Sequence, residues 1–168
     1  MDSFWKKVVW QQFGAAIDML ENAVLACPER LWSDRSRKPE FWYIVYHTLF
    51  WLDFNLSDSP KGFAPPAPFG LEEMDPAGII PERPYTKNEL QAYLEHGRKK
   101  CQAKIEALTD EQARQHWVFG SVDLSVGELF LFNMRHVQHH TAQLNLILRQ
   151  TIDSAPRWVF KAKSLHRE

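Results

Sequence analysis

The stretch from Ser125 to Gln150, SVGELFLFNMRHVQHHTAQLNLILRQ, constrains the fold of this chain more than any other. Ser125 followed by Glu128 is a capping box, which is typical of the first turn of a helix. Apolar, amide and imidazole side chains then recur at steps of three and four residues, which places them on one helical face. These side chains are Leu129, Phe132, Asn133, His136, His140, Gln143, Leu144 and Ile147. The pattern predicts one long helix whose histidine-bearing face packs against a core.

Two histidines on this face, His136 and His140, lie one helical turn apart, so both rings can bind one metal ion. The structural alternative is that each ring is a core residue whose nitrogens have hydrogen-bond partners. Two neutral rings buried without such partners would be costly, which favours the metal. His139 is rotated by about 100° from His140 and is expected on a flank or in solvent. A pair formed by His136 and His139 stays open as an alternative.

Length and composition favour one domain spanning residues 1–168 with a sizeable core, since 45% of the residues are apolar. The net charge is -1, and no basic cluster is interleaved with aromatic residues, so we expect no nucleic-acid partner. The start of the chain, MDSFWKKVVW, lacks the features of a signal peptide, and no apolar run is long enough to span a bilayer. Cys27 and Cys101 are too few for a disulfide framework. We therefore expect a soluble, cytoplasmic protein with no membrane partner.

Three further helices are predicted upstream of the histidine-rich one. The first covers residues 3 to about 26, where apolar residues recur with a period near 3.6. The second begins near Pro39 and ends near Ser57; its centre, FWYIVYHTLFWLDFNL, is apolar on nearly all sides, and its length favours a helix over a strand. The third begins at a capping box formed by Thr86 and Glu89 and runs to about Leu108. Its inner seam is predicted to be Leu90, Leu94, Gly97, Cys101, Ile105 and Leu108, with Cys101 a packing residue more than a nucleophile.

The connections between these helices are of unequal length. Residues 58–85 hold most of the prolines of the chain and are predicted to be an irregular crossover that spans the bundle or covers a site. Thr109 and Gln112 occupy capping positions of a short turn, and HWVFGSVDL is expected to be a loop. Pro156 to Trp158 are expected to pack across a bundle end, and the last residues to fray. The pattern predicts an all-α four-helix bundle whose first two helices are antiparallel, and the long crossover permits the third helix to run parallel to the second.

A third histidine, His47, lies midway along the second predicted helix. In a four-helix bundle, metal sites are built by side chains on facing helices, so His47 can join His136 and His140. Three imidazoles with a remaining open position describe a catalytic type of metal site. No Glu-x-x-His motif occurs, and His136 is followed by Val137, so neither a ferritin-like nor a zincin-like site is indicated. Gly-rich phosphate loops and a GxSxG elbow are also missing from the sequence.

His47 in its aromatic helix, together with RHVQHHTAQL in the fourth helix, resembles the DinB-like family of metal-binding four-helix bundles. The resemblance covers the chain from the first helix to the region of Trp158. Ala142-Gln143-Leu144 stands where that family often has Gly-Gln-Leu. The resemblance implies that His47, His136 and His140 are ligands of a divalent ion, with zinc, nickel, iron and manganese all seen in such folds. It also implies that a low-molecular-weight thiol is a possible cosubstrate, because some relatives are thiol-dependent transferases or isomerases.

Two functions follow from this reading. The first is a metal-dependent hydrolase or thiol S-transferase that acts on a small molecule bound in an aromatic-lined mouth. The second is a non-catalytic stress-response binding or scaffold bundle with a structural or adventitious metal. A pocket beside the histidines would favour the enzyme; the first helix, the crossover and the tail around Trp158 are the expected walls. Asp53 and Gln143 are candidates for contacts to the ligands.

One face of the second predicted helix is apolar but points away from His47. Trp42, Tyr46 and Leu49 lie on this face, and an exposed apolar patch of that size would favour association. Either the crossover or a second subunit must cover it. We expect a homodimer formed through this helix.

Overall fold

The computed structural model describes residues 2–162. The helices and strands in this part of the chain are α1 (Ser3–Ala26), α2 (Glu29–Trp32), α3 (Phe41–Asn55), α4 (Lys87–Ala107), α5 (Asp110–Arg114), β1 (His116–Phe119), β2 (Val122–Ser125) and α6 (Val126–Ile152). A single 3-10 turn, Glu72–Met74, lies within the crossover between α3 and α4. The four long helices are α1, α3, α4 and α6, so the predicted all-α four-helix bundle is confirmed.

The predicted helix starts are confirmed where a capping box marks them. Thr86, Thr109 and Ser125 each accept a hydrogen bond from the backbone N–H three residues later, and the side chain at that third position bonds back. Each box satisfies backbone donors that the first helical turn leaves free. The second predicted helix, α3, begins at Phe41 instead of Pro39 because Glu40 has an extended backbone and forms the N-cap.

The bundle is closed by four helix–helix contacts, in which α1 packs against α4 and α6, and α3 packs against the same two helices. The crossover makes α3 and α4 parallel. Tyr46, in the first half of α3, contacts Tyr85 just before α4, whereas Asp53, near the end of α3, pairs with Lys100 inside α4. The parallel arrangement that the long crossover permits is therefore observed.

Helix α1 runs antiparallel to α4, and a buried ion pair joins them. Lys87 at the start of α4 bonds to the Cys27 carbonyl after the end of α1, whereas Arg98 in the middle of α4 reaches Asp18. The Arg98 guanidinium also contacts Glu21 at 3.0 Å. The side chains of Arg98 and Asp18 are 6% and 0% exposed, so this charge network lies inside the bundle. Since α3 and α4 are parallel, α1 is antiparallel to α3, as predicted.

The inner seam of α4 is buried as predicted, and Cys101 is part of it. Cys101 is fully buried in the core, and burial raises the pKa of its thiol well above the usual range. A thiol of this kind is not a nucleophile at neutral pH. Cys101 is therefore a packing residue.

The crossover covers the apolar face of α3 that points away from His47. Trp42, Tyr46 and Leu49 are at most 2% exposed. The Phe69 ring stacks on Tyr46 with centroids 6.1 Å apart, and Tyr85 contacts both Tyr46 and Trp42. The patch from which a homodimer was predicted is thus covered within one chain. The oligomeric state itself stays a prediction.

The segment HWVFGSVDL forms a β-hairpin, so its prediction as a loop is wrong. Strands β1 and β2 are antiparallel, with His116 opposite Ser125 and Phe119 opposite Val122. Gly120, with φ of 57°, provides the tight turn between them. The four-residue strands are too short for a clear alternation in the sequence. Residue sides alternate, so Trp117 is buried against the bundle whereas Val118 is 56% exposed.

The tail after α6 lies beside α1. The Ala162 N–H donates to the carbonyl of Gln11 at 2.9 Å. Trp158 is 60% exposed, so its predicted packing across a bundle end is not observed. The last six residues, for which fraying was predicted, lie outside the described residues. Among the helices described here, none combines the length and apolar character needed to cross a membrane.

Candidate metal centre

Helices α3 and α6 bring His47, His136 and His140 together. The two helices meet at Asn133 of α6 and Leu52 of α3, because the Asn133 side-chain amide donates to the Leu52 carbonyl at 3.0 Å. His47 lies five residues before Leu52 on α3, whereas His136 and His140 lie three and seven residues after Asn133 on α6, so the two helices are antiparallel. One ring nitrogen from each lies within 4.8 Å of the other two. The predicted trio therefore forms one cluster, and it contains His140 instead of His139.

The cluster lies at the edge of the core, not at its centre. The core-facing residues in the middle of α6 are Asn133, Val137 and Thr141, all fully buried. The three histidines are half-buried. Phe132 and Gln143, which were predicted on the buried face, are exposed. The buried face of α6 is thus centred about one residue further along the chain, and this rotation opens the histidines to a groove between α3 and α6.

Glu73 from the crossover orients His47. The Glu73 carboxylate lies 2.6 Å from His47 Nδ1 and accepts a hydrogen bond from Trp51 Nε1 at 3.1 Å. The Tyr43 hydroxyl also acts on this carboxylate and favours its ionised form. Burial acts to raise the pKa of Glu73, but the hydrogen bonds from His47, Tyr43 and Trp51 outweigh it and hold the pKa below its ordinary value. An ionised Glu73 keeps the proton of His47 on Nδ1, which leaves the Nε2 lone pair directed to the cluster.

Gln143 orients His140 in the same manner. His140 Nδ1 lies 2.7 Å from the amide oxygen of Gln143, which leaves His140 Nε2 free. The amide nitrogen of Gln143 lies 3.1 Å from His139 Nε2, and the His139 ring also lies edge-on to His140 with centroids 5.0 Å apart. Gln143 was one of the two predicted contacts to the ligands, and the structure places it there.

Asp53, the other predicted contact to the ligands, lies elsewhere. Its carboxylate faces α4, where it pairs with Lys100, accepts from the Tyr93 hydroxyl at 3.2 Å and lies 3.3 Å from His96 Nε2. The prediction is wrong because Asp53 lies on the side of α3 that packs against α4. Asp53 therefore stabilises the α3–α4 contact instead of the histidine cluster.

His136 completes the cluster as a neutral ring. Burial, together with the neighbouring His140 and His47, lowers the pKa of His136 to about 3. Its Nε2 lies 3.4 Å from Nε2 of His47, and its Nδ1 is buried with no hydrogen-bond partner among the described residues. A neutral imidazole is the form that binds a metal.

The three rings fit a divalent metal ion. In a tetrahedral site with metal–nitrogen distances of about 2.0–2.1 Å, two ligand nitrogens lie roughly 3.3–3.4 Å apart. The Nε2 atoms of His47 and His136 have this separation, at 3.4 Å. Glu73 contacts Nδ1 of His47, and Gln143 contacts Nδ1 of His140. Histidines that bind a metal through one ring nitrogen usually have such a hydrogen bond at the other nitrogen. Three protein ligands would leave one tetrahedral position for another molecule.

Glu73 could not be assigned to the site from the sequence. It lies in a Pro-rich segment with no periodicity, and 26 residues separate it from His47. The one available signal was its chemistry. Glu72 and Glu73 are neighbouring carboxylates in a crossover that was predicted to cover a site.

A cleft of about 270 Å³ opens beside the cluster, and His47 and His136 form part of its wall. The other wall residues come from α3, α6 and the hairpin, with Phe54, Phe119 and Phe132 among them. The predicted walls, α1 and the tail around Trp158, do not line this cleft. The crossover contributes Glu73 behind His47 but also does not line it. The hairpin takes their place because it folds Trp117 and Phe119 against Phe54.

The fold and the cluster define a class of protein: an all-α four-helix bundle with three histidines gathered between two of its long helices. A model of the DinB superfamily matches residues 12–144, and the chain belongs to that superfamily. No match was found among curated proteins or among solved structures.

Removing the charge of Glu73 tests its role toward the cluster. We expect Glu73→Gln to weaken zinc binding by about 10–100-fold, the usual effect of losing a carboxylate behind a ligand histidine. Competition with a chromophoric chelator measures this affinity. The matched control is Glu72→Gln, since Glu72 bonds to the Tyr46 hydroxyl at 3.2 Å and does not touch His47. Equal zinc affinity in both variants would show that Glu73 does not orient His47.

Proposed function

We propose that this protein is a divalent-metal-dependent enzyme, a hydrolase or a thiol S-transferase, that acts on a small molecule. The observation that carries the proposal is the cleft beside the histidine cluster, whose wall includes His47 and His136. A purely structural site is closed by four protein ligands, whereas a catalytic one keeps an open position. Membership of a superfamily in which metal binding is common supports the same function.

Each residue of the cluster has a distinct part in this proposal. His47, His136 and His140 would hold the metal through Nε2, while Glu73 and Gln143 keep two of the rings in the required tautomer. A bound divalent metal lowers the pKa of a coordinated water towards neutrality and deprotonates a coordinated thiol. The aromatic wall of the cleft would hold the electrophile next to the histidines and keep water away.

The identity of the metal follows only in part from the ligands. Three imidazoles suit zinc, nickel and iron, and manganese is seen in similar folds. The low-molecular-weight thiol, the cytoplasmic location and the homodimer belong to the proposal as predictions from the sequence.

Metal content and thermal stability test the proposal together. We expect the untagged protein to contain about one divalent ion per chain by elemental analysis. We also expect a chelator to lower the melting temperature only modestly, because the core is carried by apolar layers away from the histidines. Thiol-conjugation and ester-hydrolysis assays with a panel of electrophiles should show activity that the chelator removes.

The alternative is a bundle whose metal serves folding alone. In that case the metal affinity is folding free energy, and the chelator should unfold the wild-type protein. Unfolding by the chelator, together with inactivity toward every electrophile, would favour this alternative. Absence of any stoichiometric metal would contradict the metal-dependent enzyme and would favour a non-catalytic binding or scaffold bundle with an adventitious metal.

A further inference from the structure

Resting on the proposed function, we infer that the cleft between the hairpin, α3 and α6 binds a neutral aromatic part of the substrate and excludes anionic groups. The inference concerns the chemistry of the substrate, which the histidine cluster alone does not specify. It is carried by three properties of the cleft: its ring-lined wall, its lack of a cationic side chain and its size.

The wall of the cleft is an edge-to-face cluster of aromatic rings. Phe54 contacts Trp51, Trp117 and Phe119 with ring centroids 5.3, 5.3 and 4.9 Å apart, at interplanar angles of 87°, 83° and 72°. Phe132 from α6 faces the same space and is 39% exposed. Aromatic rings prefer such edge-to-face contacts, so a planar ring would extend a packing pattern that already exists.

The polar groups of the wall, apart from the histidines, are neutral. They are the Asn55 amide and the indoles of Trp51, whose Nε1 donates to Glu73, and of Trp117, whose Nε1 is buried. The Asn55 amide can serve a carbonyl, ether or sulfone oxygen, but none of these groups can neutralise a charge.

No lysine or arginine lines the cleft in the part of the chain that the structure describes. Arg135 lines a separate groove that shares Phe132 and His136 with it. The charge behind His47 is the carboxylate of Glu73, which would repel an anion. A carboxylate placed among the aromatic rings, away from the histidines, would lose its hydration and gain no partner, and that cost is large.

The size of the cleft suits a fused pair of rings. An apolar cavity of about 150 Å³ holds one benzene molecule. The cleft measures about 270 Å³, so a naphthalene-sized group fills it. His47 and His136 form part of the wall, so the reactive atom of the substrate would project from the ring system toward them.

A pair of probes with the same shape and different charge tests this inference. Methyl 2-naphthyl sulfone is neutral, whereas 2-naphthalenesulfonate is an anion of nearly equal size. Isothermal titration of the metal-free wild-type protein should show binding of the sulfone and at least roughly 100-fold weaker binding of the sulfonate. Comparable affinities for the two probes would overturn the inference, as would failure of the sulfone to bind.

Three substitutions on the hairpin locate the binding. Phe119→Ala should weaken sulfone binding by about 10-fold, because a ring of the wall is lost. The control is Val118→Ala, since Val118 lies on the opposite side of the same strand and is 56% exposed; its affinity should equal that of the wild type. Val122→Lys should strengthen binding of the sulfonate, because it places a cation in the wall. Thermal melts verify that each variant is folded.

These results separate the inference from the proposed function. Sulfone binding needs no metal, so it is expected even if the protein holds none, and the proposed function alone would then fail. If metal and activity are present but Phe119→Ala and Val118→Ala bind the sulfone equally, the inference alone fails. Self-association of the protein that excludes both probes would assign the cleft to a second copy of the chain and would also overturn it.

Discussion

Replacing His140 with alanine is expected to abolish zinc binding at micromolar zinc while leaving the helical fold intact. Loss of one of three ligands should exceed the roughly 10–100-fold effect of losing an outer hydrogen bond to a ligand. The fold should survive because His140 is half-buried at the edge of the core, whereas its neighbours Thr141 and Leu144 carry the packing. Chelator competition measures the affinity, and far-ultraviolet circular dichroism measures the helix content.

His139→Ala is the matched control for this substitution. His139 is exposed, adjacent in sequence and outside the cluster, and it contacts the Gln143 amide nitrogen and the edge of the His140 ring. We expect its zinc affinity to stay within a few-fold of the wild type. If His139→Ala lost zinc and His140→Ala kept it, His139 would be the ligand and the cluster described above would be wrong.

Replacing Arg98 with methionine is expected to lower the free energy of unfolding by about 3–5 kcal/mol, the typical cost of breaking a buried ion pair from one side. The Asp18 carboxylate is fully buried and would lose the guanidinium that faces it. Urea denaturation measures the change. Zinc affinity should be unaltered in the folded variant, because Arg98 joins α1 to α4 and does not touch the histidines.

Two further variants check the cause of this loss. Lys99→Met removes an exposed cation whose ion pair with Glu95 is 3.6 Å long, so a change of only about 0.5 kcal/mol is expected. The double variant Asp18→Leu, Arg98→Met should be more stable than Arg98→Met alone, because the buried carboxylate is removed as well. A double variant that is less stable than Arg98→Met would show that the ion pair is not the cause.

The elements with strong local signals could be predicted from the sequence. The capping boxes at Thr86, Thr109 and Ser125 mark helix starts through backbone hydrogen bonds within one turn, and all three are present. The grouping of His47 with His136 and His140 could also be predicted, because residues midway along neighbouring helices lie at the same level of a bundle.

The parts that depend on contacts between distant segments could not be predicted. The periodicity of α6 includes both Phe132 and Asn133, and only packing against α1 and α3 decides that Asn133 is buried and Phe132 exposed. The crossover has no period at all, so the position of Glu73 beside His47 depends on Phe69 and Tyr85 packing on α3. The strands of the hairpin are too short to show a clear alternation in the sequence, yet the hairpin forms one wall of the cleft.

The crossover is fastened on both sides of Glu73, by Phe69 stacked on Tyr93 at 4.3 Å and by Tyr85 against Tyr46. Because Glu73 orients His47, attachment of the crossover and binding of an ion at the proposed metal site are thermodynamically coupled. If detachment of the crossover weakens ion binding by a given factor, a bound ion must favour the attached crossover over the detached one by the same factor. The protection of loop amides from hydrogen exchange would therefore report the occupancy of a site that the loop backbone itself never touches.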